Sequence, residues 1–165
     1  MTDNTSIPFA AADVAVLAAV FTSADWARIV YDGTNLLVPG DLVTKVNGVD
    51  LAAARKSILI AYAAAKRFNK ETGGIVVSGV AIATDRASQA MINGAYSMAL
   101  ANPNFTTQWK VNNTTFTTLT AAQITAIAIA VGTFVAACFS QEATAVNGIN
   151  ANTITTNAQV DQVFA

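Results

Sequence analysis

The sequence predicts an α+β fold in which small antiparallel β-hairpins pack with three helices, the last one long and apolar. Three observations predict it. Short β-branched segments flank turn residues at three places in the chain. Two segments rich in Ala follow the first two hairpins, and each ends at a helix-stop signal, Gly-Gly or Asn-Pro. The third hairpin leads into a run without charge that lies between Lys110 and Glu142.

Composition limits the functions that the chain can have. It has 165 residues, of which 53% are hydrophobic and only 12% charged, with a net charge of −1. A typical protein is about 25% charged, so this chain has few charges for its surface, which must consist largely of Ala, Thr, Asn and Gln. Such a surface is typical of a chain that is largely covered by other subunits. We expect no nucleic-acid partner, because there is no basic excess. We also expect no secretory signal, because the N-terminus starts acidic and polar.

The beginning of the chain predicts a segment that docks onto other proteins. Residues 1–10 are expected to form a mobile arm or a clamp onto a neighbour. Residues 12–21 are apolar and compatible with either helix or strand, because their periodicity does not decide between the two.

A hairpin is predicted next. Arg28–Tyr31 alternates and is β-branched, Asp32-Gly33 is a turn pair, and Leu36–Val38 forms the returning strand. We therefore assign residues 1–48 to an N-terminal docking segment that contains β structure.

The first long helix is predicted from its cap to its stop. Asp50 caps its start, it runs to about Asn69, and Gly73-Gly74 ends it. Four basic residues share one face, because eleven residues make about three turns. A solvated face is one interpretation, and a docking stripe for an acidic partner is the alternative. The four residues are Arg55, Lys56, Lys66 and Arg67.

A tight hairpin and a second helix follow. Ile75–Val77 and Val80–Ile82 flank the turn Ser78-Gly79. Thr84-Asp85 then supplies oxygens that cap a new helix.

The first turn of that second helix contains an unfavourable charge. Arg86 is disfavoured there by the helix dipole, so we expect its guanidinium to reach a carboxylate or carbonyl elsewhere. The helix runs to about Leu100, before Asn102-Pro103. Gly94 within it predicts close packing at that point.

The third hairpin precedes the uncharged run. Trp109 and Val111 alternate on the first strand, Asn112-Asn113 makes the turn, and Phe116 lies on the second strand. Thr120 with Gln123 then forms a capping box that opens the last helix.

The run Ala121–Phe139 is long enough to cross a bilayer, but its pattern favours a packed helix. Its bulky residues fall on one stripe, and its other face is small and hydroxylated, around Thr125, Gly132 and Thr133. No Lys or Arg follows it. We therefore expect protein, and no membrane, against the small-residue face. The stripe consists of Ile124, Ile127, Ala128, Val131, Phe134, Val135 and Cys138.

The residues for catalysis are missing. The chain has no His and one cysteine, Cys138, which reads as a small core residue because no His base is present to activate it. Ser88 lacks a G-x-S-x-G motif, and the Asp and Glu residues are scattered singly without a metal-loop spacing. We expect no enzyme activity, no cofactor and no metal.

An ordered series of short motifs spans residues 51–150. It comprises "GGIVVSGVAIATDRASQAMINGA" and "WKVNNTTFTTLTAAQITAIAIAVGTFVAACFSQE". The series resembles an uncharacterised domain common at the C-terminal end of tailed-phage tail and tail-fibre proteins. The motif residues, expected to be structural, are Thr84, Asp85, Arg86, Gln89, Trp109, Lys110, Thr120 and Gln123.

The resemblance implies a structural virion component from the baseplate, tail tip or tail-fibre region, made in the host cytoplasm and present in multiple copies. Its partners would be other phage tail or baseplate proteins, bound through buried Ala-, Thr- and Val-rich surface or through backbone pairing at hairpin edges. The alternatives are a tail-fibre assembly chaperone absent from the virion, or a small holin-like membrane protein. Residues 49–150 form the phage-tail-type domain, and 151–165 are a C-terminal tail that wraps over a neighbour or frays.

Overall fold

The computed structural model describes residues 3–110 and 114–165. The chain divides into two compact units, and the division falls between Ala61 and Tyr62. This point lies within the first long helix, whose two halves therefore belong to different units. The α+β fold class is confirmed, with short helices in addition to the three that the sequence predicts.

The first unit is built on a three-stranded antiparallel sheet with the order β1-β3-β2. Its core contains Leu17, Leu36 and Val38, which are fully buried. The elements in chain order are β1 (Asn4–Pro8), α1 (Ala11–Val20), α2 (Ser23–Trp26), β2 (Val30–Tyr31), β3 (Asn35–Pro39), a 3₁₀ turn (Gly40–Leu42), α3 (Val43–Asn47) and the first half of α4 (Leu51–Thr72).

The expectation of an N-terminal arm is wrong, because β1 pairs along its whole length with β3, from Asn4 opposite Pro39 to Pro8 opposite Asn35. Pairing within the chain satisfies the backbone groups that a mobile arm would leave to water. The apolar segment of residues 12–21, for which the sequence allowed either helix or strand, forms the helix α1.

The predicted β2–β3 hairpin is confirmed, but its turn is shifted by one residue. The Asp32 N–H donates to the Asn35 carbonyl, so Gly33 and Thr34 occupy the tip of the loop. The Asp32 carboxylate accepts from the N–H groups of Thr34 and Asn35, which fixes this tip.

The second unit contains two hairpins and the longest helices. It begins with the second half of α4, whose start lies in the first unit, where the Asp50 carboxylate caps it as predicted by accepting from the N–H groups of Ala52 and Ala53. The other elements are β4 (Ile75–Val77), β5 (Val80–Ile82), α5 (Arg86–Ala101), β6 (Thr106–Lys110), β7 (Phe116–Thr120), α6 (Ala121–Asn150) and α7 (Asn157–Val163).

Both hairpins of this unit have the predicted strands. Ser78 and Gly79 both adopt positive φ, 50° and 80°, which gives the β4–β5 turn the twist that a two-residue hairpin needs. In the β6–β7 hairpin, Trp109 lies opposite Thr117 and Thr107 opposite Leu119. The turn predicted at Asn112-Asn113, with Val111 before it, lies outside the described residues.

Helix α6 organises the core of the second unit. Its predicted capping box is present, since Thr120 Oγ1 accepts from the Gln123 N–H and the Gln123 side chain accepts from the Thr120 N–H. Ile124, Ile127 and Val131 are buried against α5 and the hairpins, so the apolar stripe is confirmed as core. The helix continues to Asn150, eleven residues beyond the run Ala121–Phe139 from which the sequence predicts it, because neither Pro nor a Gly-Gly pair interrupts it.

The C-terminal residues fold back onto the second unit rather than fray. Thr156 and Gln159 form another capping box that opens α7, and Val160 is fully buried. The turn before α7 closes over Gly148, whose carbonyl accepts from the N–H groups of Thr153 and Ile154. A side chain at Gly148 would meet this turn.

Two other helical glycines, unlike Gly148, have room for a side chain. Apart from the backbone of their own helix turn, Gly94 and Gly132 have no atom within 4 Å of the position that a Cβ would occupy, so the prediction of close packing at Gly94 is wrong for this chain. A Cβ on Gly148 would lie 2.7 Å from the Ile154 side chain.

We predict that Gly94→Ala and Gly132→Ala each stabilise the isolated protein by about 0.5–1 kcal/mol, because Ala restricts the unfolded chain and favours helix. Gly148→Ala, in the same helix as Gly132, is the matched control and should destabilise it. Urea unfolding monitored by circular dichroism measures all three, and a loss of stability in Gly94→Ala would show that this site is packed.

Candidate functional site

A fully buried carboxylate lies at the C-terminal end of α4. Glu71 is 0% exposed. Its side-chain oxygens lie 2.5 Å from Arg67 Nη1 and 2.9 Å from Arg86 Nη1. The Gln89 amide donates a further hydrogen bond of 3.3 Å. Two cations and an amide therefore replace the water that the carboxylate loses on burial.

The backbone around this carboxylate is fixed by Thr84. Its hydroxyl donates to the Glu71 carbonyl at 2.6 Å and accepts from the Gly74 N–H at 2.9 Å. Asp85 then caps α5 by accepting from the N–H groups of Ala87 and Ser88. With the start of α5 held in this way, its first turn directs Arg86 and Gln89 back to Glu71.

Arg67 connects this group of residues to α6. Its Nε donates to Glu142 at 2.8 Å. Its guanidinium also lies 4.6 Å from the centre of the Phe139 ring, in the geometry of a cation–π contact. Only 15% of the Arg67 side chain is exposed, so these contacts are poorly screened by solvent. We call Arg67, Glu71, Arg86, Gln89 and Glu142 the Glu71 cluster.

The pKa values reflect these contacts. Burial by itself raises the pKa of Glu71, but hydrogen bonds from Arg67 and Gln89 and the charge of Arg86 outweigh it, so the net pKa is lowered. The Glu142 hydrogen bond raises the pKa of Arg67. Hydrogen bonds from Ser88 lower the pKa of the capping carboxylate Asp85. All three groups are thus charged at neutral pH.

The structure brings part of the predicted motif together. Thr84, Arg86 and Gln89 contact Glu71, and Asp85 caps the helix that carries Arg86 and Gln89. The expected reach of Arg86 to a distant carboxylate is confirmed. The other motif residues lie at two further places. Trp109 and Lys110 lie on β6, and Thr120 with Gln123 forms the capping box of α6.

Sequence reasoning missed Glu71 and Glu142 as members of this site. The spacing of Arg67 and Glu71, four residues apart in a helix, is a signal that could have found the first. Glu142 carries no such signal, because its partner Arg67 lies 75 residues away in the chain.

A cleft of about 970 Å³ adjoins the Glu71 cluster. Its size is at the upper end of the range of about 300–1,000 Å³ that ligand pockets span. Thr84 links the two features, because the Gly74 that it holds forms part of the cleft wall. The lining residues come from the β4–β5 hairpin (73–76 and 81–83), from α5 (Ser88, Met91 and Ala95) and from β6 (107–110).

The lining of the cleft favours apolar and backbone contacts over acid–base chemistry. Lys110 is the one charged residue among the described residues that line it. Within residues 3–110 and 114–165, no group of three or more His, Cys, Asp or Glu side chains is placed to hold a metal ion.

The predicted basic face of α4 is largely engaged in ion pairs within the chain. In the first unit Arg55 pairs with Asp13. In the second unit Lys66 lies 2.7 Å from Asp161, which also accepts from the Tyr62 hydroxyl. Cations already paired offer little to an acidic partner, so the docking-stripe alternative is not favoured.

Comparison with known proteins gives one match. Residues 54–163 match the model of a family described as "Domain of unknown function (DUF4376)". The match covers nearly all of the second unit, including the Glu71 cluster and the cleft. No curated protein and no solved structure matches the chain.

We predict that Glu71→Gln lowers the free energy of unfolding by about 2–4 kcal/mol at neutral pH, because Arg67 loses a charged partner in a buried position. Glu142→Gln is the matched control. We expect it to cost less, because Glu142 is 20% exposed. Chemical denaturation measures both, and equal effects would show that burial of Glu71 has no special weight.

We also predict that the stability lost in Glu71→Gln depends on pH. Because the pKa of Glu71 is lowered in the folded state, its stabilisation is complete above its ordinary value of 4.5 and is lost as pH falls through the folded pKa. The difference in stability between wild type and Glu71→Gln should therefore be constant near neutral pH and shrink below pH 4.5. A difference that stayed constant down to the acid limit would contradict the assigned ion pairs.

Proposed function

Since the chain belongs to the DUF4376 family, whose description assigns no activity, we propose that it is a structural component of a tailed-phage virion. It belongs to the baseplate, tail tip or tail-fibre region and binds other virion proteins. It acts by packing against its partners in multiple copies, and it is not an enzyme. The phage assignment rests on the resemblance of residues 51–150 to tail and tail-fibre domains.

The observation that carries the packing role is the outer face of α6. Eight exposed residues recur at alternating steps of four and three along the helix, the spacing of a seam between two packed helices. None of them is charged, and six are Ala, Ser or Thr, which let a neighbouring backbone approach closely. The outer seam, as we call it, consists of Ala122, Ala126, Ile129, Thr133, Ala136, Ser140, Ala143 and Asn147.

Two exposed apolar side chains support the same role. Ile129 is 60% exposed on the outer seam, and Phe139 beside it is 45% exposed. Transfer of such side chains from water into an interface is favourable by about 25 cal/mol for each Å² of apolar surface. A partner that covers the outer seam would bury both, without desolvating a charge between Ala121 and Gln141.

The length and composition of α6 also meet the criteria for a membrane span. Its most apolar window has a mean hydropathy of 2.0, and 22% of that window is buried. Three features favour protein over lipid. The bulky stripe of Ile124, Ile127 and Val131 is already used by the core. The outer seam is mostly small, whereas a lipid-facing surface is rich in Leu, Ile and Phe. Glu142 forms an ion pair with Arg67 at the far end of the run.

We predict that the protein occurs in stoichiometric copies in purified particles of the tailed phage that encodes it, and that Ile129→Lys reduces incorporation at least roughly tenfold, because it places a charge in the interface. The test complements a phage lacking the gene with plasmid-borne variants and counts copies by quantitative mass spectrometry.

Leu100→Lys is the matched control, because Leu100 is 64% exposed on α5 and lies outside the outer seam. It should be incorporated normally. Absence of the wild-type protein from particles would favour the assembly-chaperone alternative, and recovery only in detergent would favour a holin-like protein. Equal incorporation of Ile129→Lys and Leu100→Lys would show that the outer seam is not the interface.

A further inference from the structure

The cleft of the second unit runs along an open strand edge. It is lined by four consecutive residues of β6, Thr107–Lys110, and by no described residue of β7. Successive side chains of a strand point to opposite faces, so a cavity that touches all four lies along the edge of β6 rather than on one face.

The other edge of β6 is occupied by β7, and within the described residues this sheet has only these two strands. In an antiparallel pair, the N–H and C=O groups of every second residue point away from the partner strand. Backbone donors and acceptors of β6 therefore face the cleft.

The remaining walls suit alternating apolar side chains. Val76 is 71% exposed and Met91 is 62% exposed, and both line the cleft. Ile82 and Trp109 also line it, and they are continuous with the core. Lys110 supplies one positive charge at the end of the β6 segment, and the described lining contains no carboxylate to neutralise it.

We propose that the cleft binds an extended segment of a partner protein, which adds a strand to the free edge of β6. The segment carries apolar side chains at alternate positions and a carboxylate that faces Lys110. The open backbone edge requires an extended chain rather than a helix. The apolar walls favour apolar side chains at alternate positions of the segment, and the charge of Lys110 favours a carboxylate beside it. This inference goes beyond the packing role of α6, because a different surface carries it.

The test uses the full chain and a synthetic peptide of alternating Val and Thr with Glu at each end, so that either strand direction places a carboxylate near Lys110. The control peptide has the same sequence with Pro at a central position, which removes an N–H and disfavours strand pairing. Binding is measured by calorimetry, and amide hydrogen exchange is followed by NMR.

We expect the alternating peptide to bind, the proline peptide to bind at least roughly tenfold more weakly, and alternate amides of Thr107–Lys110 to exchange more slowly in the complex. Binding without such protection, or no binding of the alternating peptide, would overturn the proposal. Since no virion is involved, failure here leaves the role of the outer seam unaffected, and the converse also holds.

A pair of methionines on α5 provides matched variants. Met91 lines the cleft, whereas Met98 on the same helix is 52% exposed and does not line it. Met91→Glu should weaken peptide binding about tenfold or more, and Met98→Glu should leave it unchanged. Equal binding by the two variants would overturn the proposal.

Charge reversal tests the role of Lys110. Lys110→Glu should weaken binding of the glutamate peptide a few-fold and restore binding to a peptide with Lys in place of Glu. Self-association of the wild-type chain that Met91→Glu abolishes would assign the cleft to a second copy, and would overturn the proposal of a separate partner.

Discussion

A carboxylate that loses all contact with water must find cations and hydrogen-bond donors inside the protein, or it destabilises the fold. Glu71 finds them on α4 itself and on the first turn of α5, and Arg67 extends the ion pairs to α6. The same carboxylate therefore imposes a register on three helices. Apolar packing alone tolerates sliding and repacking, whereas this arrangement has few alternatives, because each displacement would leave a buried charge without its partner.

The Glu71 cluster also neutralises several of the few charges that the chain has. Arg67, Arg86 and Glu142 form ion pairs with residues of the second unit itself, and Lys66 is paired with Asp161. The chain has only 19 charged residues in total, nine basic and ten acidic. With several of them committed to internal pairs, the outer seam and the cleft present mainly methyl groups, hydroxyl groups and backbone. Such surfaces are suited to packing against protein rather than to steering a charged ligand.

Local sequence signals predicted much of this fold, because they act over a few residues. The Ser78-Gly79 turn, the Asp85 cap and the box of Thr120 and Gln123 each depend on chemistry within one turn of chain. The sequence also indicated that Arg86 needs a distant acceptor, but it did not identify Glu71, because that choice depends on how α4 and α5 pack.

The features that the sequence did not predict also depend on packing between elements that are distant in the chain. The pairing of β1 with β3 joins residues 4–8 to residues 35–39, and no local pattern specifies that partner. The cleft likewise depends on the packing of the β4–β5 hairpin, α5 and β6, so its motif residues Trp109 and Lys110 could be named from the sequence but not placed on a common wall.

The position of Cys138 has a consequence for the chemistry of assembly. Its side chain lies on the inner stripe of α6, 1% exposed, and burial raises the pKa of its thiol. It is the only cysteine in the chain. A protonated thiol that solvent does not reach reacts slowly with oxidants and disulfides, so Cys138 is poorly placed to form a disulfide between two copies of the chain. An assembly of copies, as proposed above, would therefore gain its strength from the number of simultaneous weak contacts rather than from disulfides, and a change between reducing and oxidising surroundings would affect it little.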